Sequence, residues 1–98
     1  MSDVLRLVSL QLADPAGYRR YRMEMAPHLA RHGGRFVLDV DVARAHIHPA
    51  EFVPERVLLI AFPSAEAARA FVEDEAYQAV RRRWFDPSVA RTEALVLA

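Results

Sequence analysis

The residues best suited to chemistry meet in one short stretch, His32-Gly33-Gly34-Arg35. A histidine changes charge near neutral pH, and an arginine keeps a planar, permanently charged fork that fits a carboxylate or an enolate. The two glycines between them allow a backbone to approach a ligand closely. At 100° per residue, His32 shares an arc with Tyr18, Tyr21, Met25, His28 and Leu29, so it points towards the core. A pocket between this helix and a sheet would use His32 as the acid or base and Arg35 as the anion anchor. Gly33 and Gly34 would give access there, and Tyr18 and Tyr21 an apolar wall. The same residues also have a structural use: His32 closing the helix, where its dipole favours a cation, and Arg35 pairing with a neighbouring acid.

The other sets are weaker. His28 and His32 stand four apart, a metal-ligand spacing, and His46 and His48 are followed by Glu51. There is no cysteine and no glutamate between the helical pair, so neither a metal site nor a cofactor is expected. Tyr18, Tyr21, Phe71, Tyr77 and Trp84 recur at helical spacing, the pattern of a core. Arg81-Arg82-Arg83 would diverge on a helix and form a solvated face or salt bridges to a partner. Asp39 and Asp41 share a strand face, either as coupled carboxylates or as a wet rim. All 13 basic residues are arginine, which excludes lysine Schiff-base chemistry.

The elements that position these residues follow from periodicity. Val4 to Leu12 is apolar on both faces, as in a strand covered on both sides. Asp14-Pro15 opens a helix expected over 15–32, with Asp14 as the cap and Gly33 as the stop. Residues 35–42 alternate, with Phe36, Leu38, Val40 and Val42 on one face and Arg35, Val37, Asp39 and Asp41 on the other. Residues 43–55 form a long connection, either functional or mobile. Arg56 to Phe62 is a buried strand, and Pro63-Ser64 starts a second helix that breaks near Asp74-Glu75 and resumes over 76–85. Asp86-Pro87-Ser88 is a turn, and Thr92 to Leu97 a last strand.

The order is β-α-β-β-α-β, an α+β ferredoxin-like sandwich with an antiparallel sheet. The 98 residues make one domain, 1–98. Helices cover one face of such a sheet, yet the first and third strands are apolar on both. A second copy packed sheet to sheet is therefore expected. With 13 acidic residues against 13 basic, the chain has no excess charge for nucleic acid. No apolar run approaches the ~20 residues that span a bilayer, and no signal segment is read, so a cytoplasmic protein without a membrane partner is expected.

Several motifs recur together: Asp-Pro before Tyr18-x-x-Tyr21, Pro27 inside the helix, and His32-Gly33-Gly34-Arg35 entering a strand. Next come Arg56-Val57, Phe62-Pro63-Ser64, Ala67-Ala68, and Tyr77-Gln78 ahead of the arginines. In this order they resemble a small bacterial family, the domain of unknown function 1330 (DUF1330), over nearly the whole chain. The resemblance implies a dimeric α/β barrel and no established reaction. The stretch Ala45–Glu51 departs from the family's short Glu-Gly connection. The expected function is that of an uncharacterised dimer with a helix–sheet pocket for a small apolar or anionic molecule. The alternative is a cofactor-free monooxygenase or isomerase acting on an aromatic or cyclic substrate.

Overall fold

The computed structural model describes residues 3–97. Strand β1 (Val4–Leu12) leads to α1 (Pro15–Arg31), β2 (Arg35–Asp41) and β3 (Arg56–Phe62). Helices α2 (Ala65–Glu73) and α3 (Glu75–Val80) follow, then a π-helical turn over Arg81–Phe85, a short helical turn over Asp86–Ser88, and β4 (Val89–Leu97). The four strands form one antiparallel sheet in the order β2-β3-β1-β4. This is the expected ferredoxin-like arrangement, with all helices on one face. None of the described helices is long and apolar enough to cross a membrane.

The core lies between the helices and that face. Tyr18, Tyr21, Met25 and Leu29 of α1 are buried against Leu10, Leu58, Ile60 and Phe62 of the sheet and Phe71 and Tyr77 of α2 and α3. Register assigns the two faces. Val8, Leu58 and Ala94 form one inward rung, with Arg6, Ile60 and Val96 beside it. The outward rung between them is Leu38, Leu59, Leu7 and Leu95, one leucine from each strand.

Strand β2 departs from strict alternation. The pairing shifts between Phe36 and Leu38, a bulge at Val37. An extra residue reverses the facing of everything beyond it. Phe36 faces the helices, but Leu38 and Val40 then turn outward, and Asp39 and Asp41 turn in. The single apolar face expected for Phe36, Leu38 and Val40 is therefore split.

The caps differ in part from expectation. Ser64 Oγ accepts from Ala67 N at 3.0 Å, as its sequence position suggests. Asp14 occupies the cap position of α1 but makes no side-chain cap hydrogen bond. Asp74 instead caps α3, accepting from Ala76 N and Tyr77 N at 2.8 and 3.3 Å. The Asp86-Pro87-Ser88 turn is a last helical turn, and β4 begins at Val89 rather than Thr92. The 43–55 connection has no regular element, but it is anchored. Phe52 is buried. Glu55 donates its N–H to Leu10 O at 2.7 Å and accepts from Leu12 N at 2.7 Å through its side chain.

Gly33 and Gly34 close α1. Gly33 has φ 75°, the left-handed conformation of a helix C-terminus. At Gly34 a Cβ would overlap the buried Leu29 side chain and lie 3.0 Å from Phe62 Cε1. Gly34→Ala is expected to lower the unfolding free energy by about 1–3 kcal/mol through overpacking. Urea denaturation measures this as a lower midpoint, and an unchanged midpoint would contradict the close fit.

Candidate functional site

A cavity of about 100 Å³ lies between the helix layer and the sheet. Its walls come from every layer: Tyr18, Tyr21, Arg22 and Met25 from α1, and Phe71 and Tyr77 from α2 and α3. Arg81 and Phe85 come from the π-helical turn, and Arg6, Val8, Phe36, Leu58, Ile60, Phe62, Thr92 and Ala94 from the sheet. The lining is mostly aromatic and aliphatic, with three arginines and no carboxylate or histidine. A π-helical turn displaces side chains from the ordinary helical positions and often marks a functional site; here it supplies both Arg81 and Phe85.

The polar groups at the cavity have distinct surroundings. The hydroxyls of Tyr21 and Tyr77 are hydrogen-bonded to each other at 2.7 Å. Burial, and then Tyr77, hold the Tyr21 hydroxyl far above the ordinary phenol range. Burial pushes Tyr18 up to about 12, against the opposing pull of Arg56. The Tyr18 hydroxyl is fully buried and has no hydrogen-bond partner among the described residues. Both tyrosines are therefore protonated at neutral pH.

Arg22 belongs to a clamp. It donates to Asp39 Oδ2 at 2.8 and 3.0 Å, and Arg56 donates to the same carboxylate at 2.7 and 3.0 Å. The Arg22 guanidinium also lies 3.7 Å from the centre of the Phe36 ring. The bulge at Val37 makes this clamp possible by turning Asp39 inward. Arg81 approaches Asp86 only to 3.7 Å, and Arg6 has no ion pair among the described residues.

Of the residues singled out in the sequence, Tyr18 and Tyr21 line the cavity, and His32, Gly33, Gly34 and Arg35 do not. His32 and Arg35 are not brought together. His32 is at the C-cap of α1, where Nε2 donates to Asp74 Oδ2 at 2.8 Å. Arg31 donates to the same oxygen at 2.8 Å and to His28 Nδ1 at 2.9 Å. The His32 and Arg31 hydrogen bonds, with the α3 backbone N–H groups, hold the Asp74 carboxyl well below the usual carboxylate range. Arg35 starts β2 on the outward face, opposite Ala61, and pairs with Asp3 at 2.8 Å. The strand's first residue faces away from the helices, and this separates the two. His46 and His48 are exposed in the 43–55 loop. Among the described residues no three histidine or acidic side chains converge as metal ligands. The arginine triplet diverges as expected: Arg81 reaches the cavity, Arg82 is exposed, and Arg83 lies over Trp84 at 5.1 Å.

Residues 4–92 match the family described as Domain of unknown function (DUF1330). The chain belongs to the DUF1330 family. No curated protein matches it. Among solved structures, a protein of unknown function from Rhodopseudomonas palustris superposes with a TM-score of 0.83 at 20% identity, covering 97% of this chain and 80% of that one. SnoaB, a cofactor-independent oxygenase from Streptomyces nogalater, gives 0.70 at 13% identity over 100% and 93% of the two chains. A dimeric ferredoxin-like protein of unknown function from Jannaschia sp. CCS1 gives 0.64 at 13% identity over 99% of each. At these identities the likeness is one of fold, and the DUF1330 chain shares the ferredoxin-like fold of dimeric α/β barrel proteins.

The clamp has a testable pH signature. Burial raises the Asp39 carboxyl, but hydrogen bonds from Arg56 and Arg22 outweigh burial and leave its pKa below the ordinary value. A depressed folded-state pKa adds stability above the unfolded value of ~3.9, lost as pH falls through the folded one. Asp39→Asn is expected to destabilise by about 2–3 kcal/mol at neutral pH, with the gap to wild type closing below about pH 4. Denaturant titrations at several pH values measure it; a gap independent of pH would contradict the clamp.

Proposed function

We propose that the protein is a homodimer, joined through the outward sheet face, that binds a small ring-sized molecule in the cavity beneath α1 without transforming it. The cavity carries the binding half of this reading. It is small, largely apolar and walled by rings, and it contains a buried tyrosine hydroxyl without a partner. A buried donor left unsatisfied destabilises the free protein, and a bound acceptor relieves that. An enclosed apolar cavity of ~150 Å³ holds benzene; the cavity here is smaller, about 100 Å³, but it opens along β4, where Thr92 and Ala94 are exposed, so a single ring fits by extending into that opening.

The outward leucine rung supports the dimer. Leu38, Leu95 and Leu97 are 44%, 52% and 41% exposed and continuous with Leu5, Leu7, Val57 and Leu59. A contiguous apolar surface of this kind marks an interface. The protein from Jannaschia that shares the fold of this chain, described as dimeric, is consistent with a second copy as the cover.

The oxygenase likeness favours an enzymatic reading, and the cavity chemistry weighs against it. Cofactor-free proton abstraction needs a base near neutral pH. The cavity lining contains no histidine or carboxylate, and its tyrosines Tyr18 and Tyr21 are held protonated.

Two outcomes are expected. Leu7→Glu, at the centre of the leucine rung, should convert a dimer into a folded monomer in sedimentation at micromolar concentration; a wild-type monomer, or a variant that stays dimeric, would contradict the interface. A thermal-shift screen of single-ring compounds should yield ligands that raise Tm by several degrees, since ligand at 100 Kd stabilises by ~2.7 kcal/mol. Ala94→Leu, which fills the cavity, should abolish that response. An equal response in Ala94→Leu would move the site elsewhere.

A further inference from the structure

Arg6 stands in the inward row of β1, among Val4, Val8, Leu10 and Leu12. Its cross-strand neighbours there are Ile60 and Val96. Arg6 as a residue is half-buried, and a guanidinium that loses hydration in an apolar row is compensated by an anion. Among the described residues no carboxylate is within ion-pair distance of Arg6. Arg81 reaches the same cavity from the opposite wall, on the π-helical turn, with only the half-exposed Asp86 at 3.7 Å. The third lining arginine, Arg22, is already engaged by Asp39.

The cavity therefore combines ring-shaped apolar walls with two arginines that, among the described residues, have no close carboxylate partner beyond Asp86 at 3.7 Å from Arg81. Over the whole chain the charges cancel, so this local surplus is a segregation of charge and not a reflection of composition. Guanidinium groups bind carboxylates through paired, charge-assisted hydrogen bonds. Rings beside them offer stacking and edge contacts to a planar ligand.

We propose that the ligand is a single-ring carboxylate, or a monoanion of the same size, held at its charged end by Arg6 and Arg81 and packed at its ring against Tyr21, Phe36, Tyr77 and Phe85. This assignment rests on the cavity being a binding site, and it adds the charge and shape of what enters. A cation is excluded by the two arginines. A dianion would need a third unpaired donor, and Arg22 is committed to Asp39.

Three probes of one shape test it: benzoate, benzamide and benzylamine, titrated calorimetrically into the full chain at pH 7 and fixed ionic strength. Benzoate is expected to bind at least tenfold more tightly than benzamide, with no binding of benzylamine. Arg6→Gln and Arg81→Gln are each expected to weaken benzoate about tenfold or more, the effect of losing a charge-assisted hydrogen bond, and to leave benzamide within twofold. Circular dichroism and Tm establish that each variant is folded. Arg81, on the helical rim, provides the comparison should Arg6→Gln destabilise the sheet. If benzamide binds as tightly as benzoate, the anion assignment falls and the cavity reading stands. If benzoate keeps its preference in both variants, the anchors are elsewhere and the proposal is overturned. If none of the three binds, the cavity reading fails and the ligand assignment with it.

Discussion

A single layer of helices can cover only one face of a four-stranded sheet, and most of this molecule follows from that limit. The inward face is packed by α1, α2 and α3, with a residual cavity where rings and arginines meet. The outward face has no helix to cover it, yet it carries a leucine from every strand. The two faces therefore serve different ends. One is closed by helices over β1, β2 and β3 and open along β4, where Thr92, Ala94 and Val96 are exposed. The other is a broad apolar surface suited to a second sheet.

One inserted residue coordinates both. Without the bulge at Val37, Leu38 and Val40 would face the helices and Asp39 would lie on the outer surface. With it, the outward leucine rung is complete and Asp39 reaches Arg22 and Arg56. Those hydrogen bonds tie α1 to β2 and β3 across the layers. They also commit Arg22, which leaves Arg6 and Arg81 as the charges facing the cavity. A bulge is a small change of register, and here it sets both the outward apolar face and the electrostatics of the pocket.

Much of the fold was legible in the sequence because it rests on periodicity. The run of Tyr18, Tyr21, Met25 and Leu29 marked the buried face of α1, and the two-sided apolarity of β1 and β3 marked central strands. The ordered motifs indicated the family. The site was less legible. His32 and Arg35 are neighbours along the chain, but a helix C-terminus and an outward strand start send them to opposite sides. Alternation groups Asp39 with Arg35, Val37 and Asp41 opposite Phe36, because it carries no trace of a bulge when the bulged residue, Val37, is itself apolar. Helical spacing puts Arg81 among three solvated charges, since it does not reveal a π-helical turn. Arg6 did leave a signal: it interrupts the inward row Val4, Val8, Leu10, Leu12. A charge in a core-facing register is an informative signal, but the histidine beside two glycines is the more familiar one and draws the sequence reading to His32.

The central claim is that the inward cavity, and not the outward apolar face, receives the ligand. Intermolecular nuclear Overhauser effects between benzoate ring protons and assigned methyl groups test it directly, because the two faces carry different methyls. Effects are predicted to Val8, Leu58 and Ile60, which line the cavity. Effects confined to Leu7, Leu38, Leu59 and Leu95, on the outward rung, would contradict it.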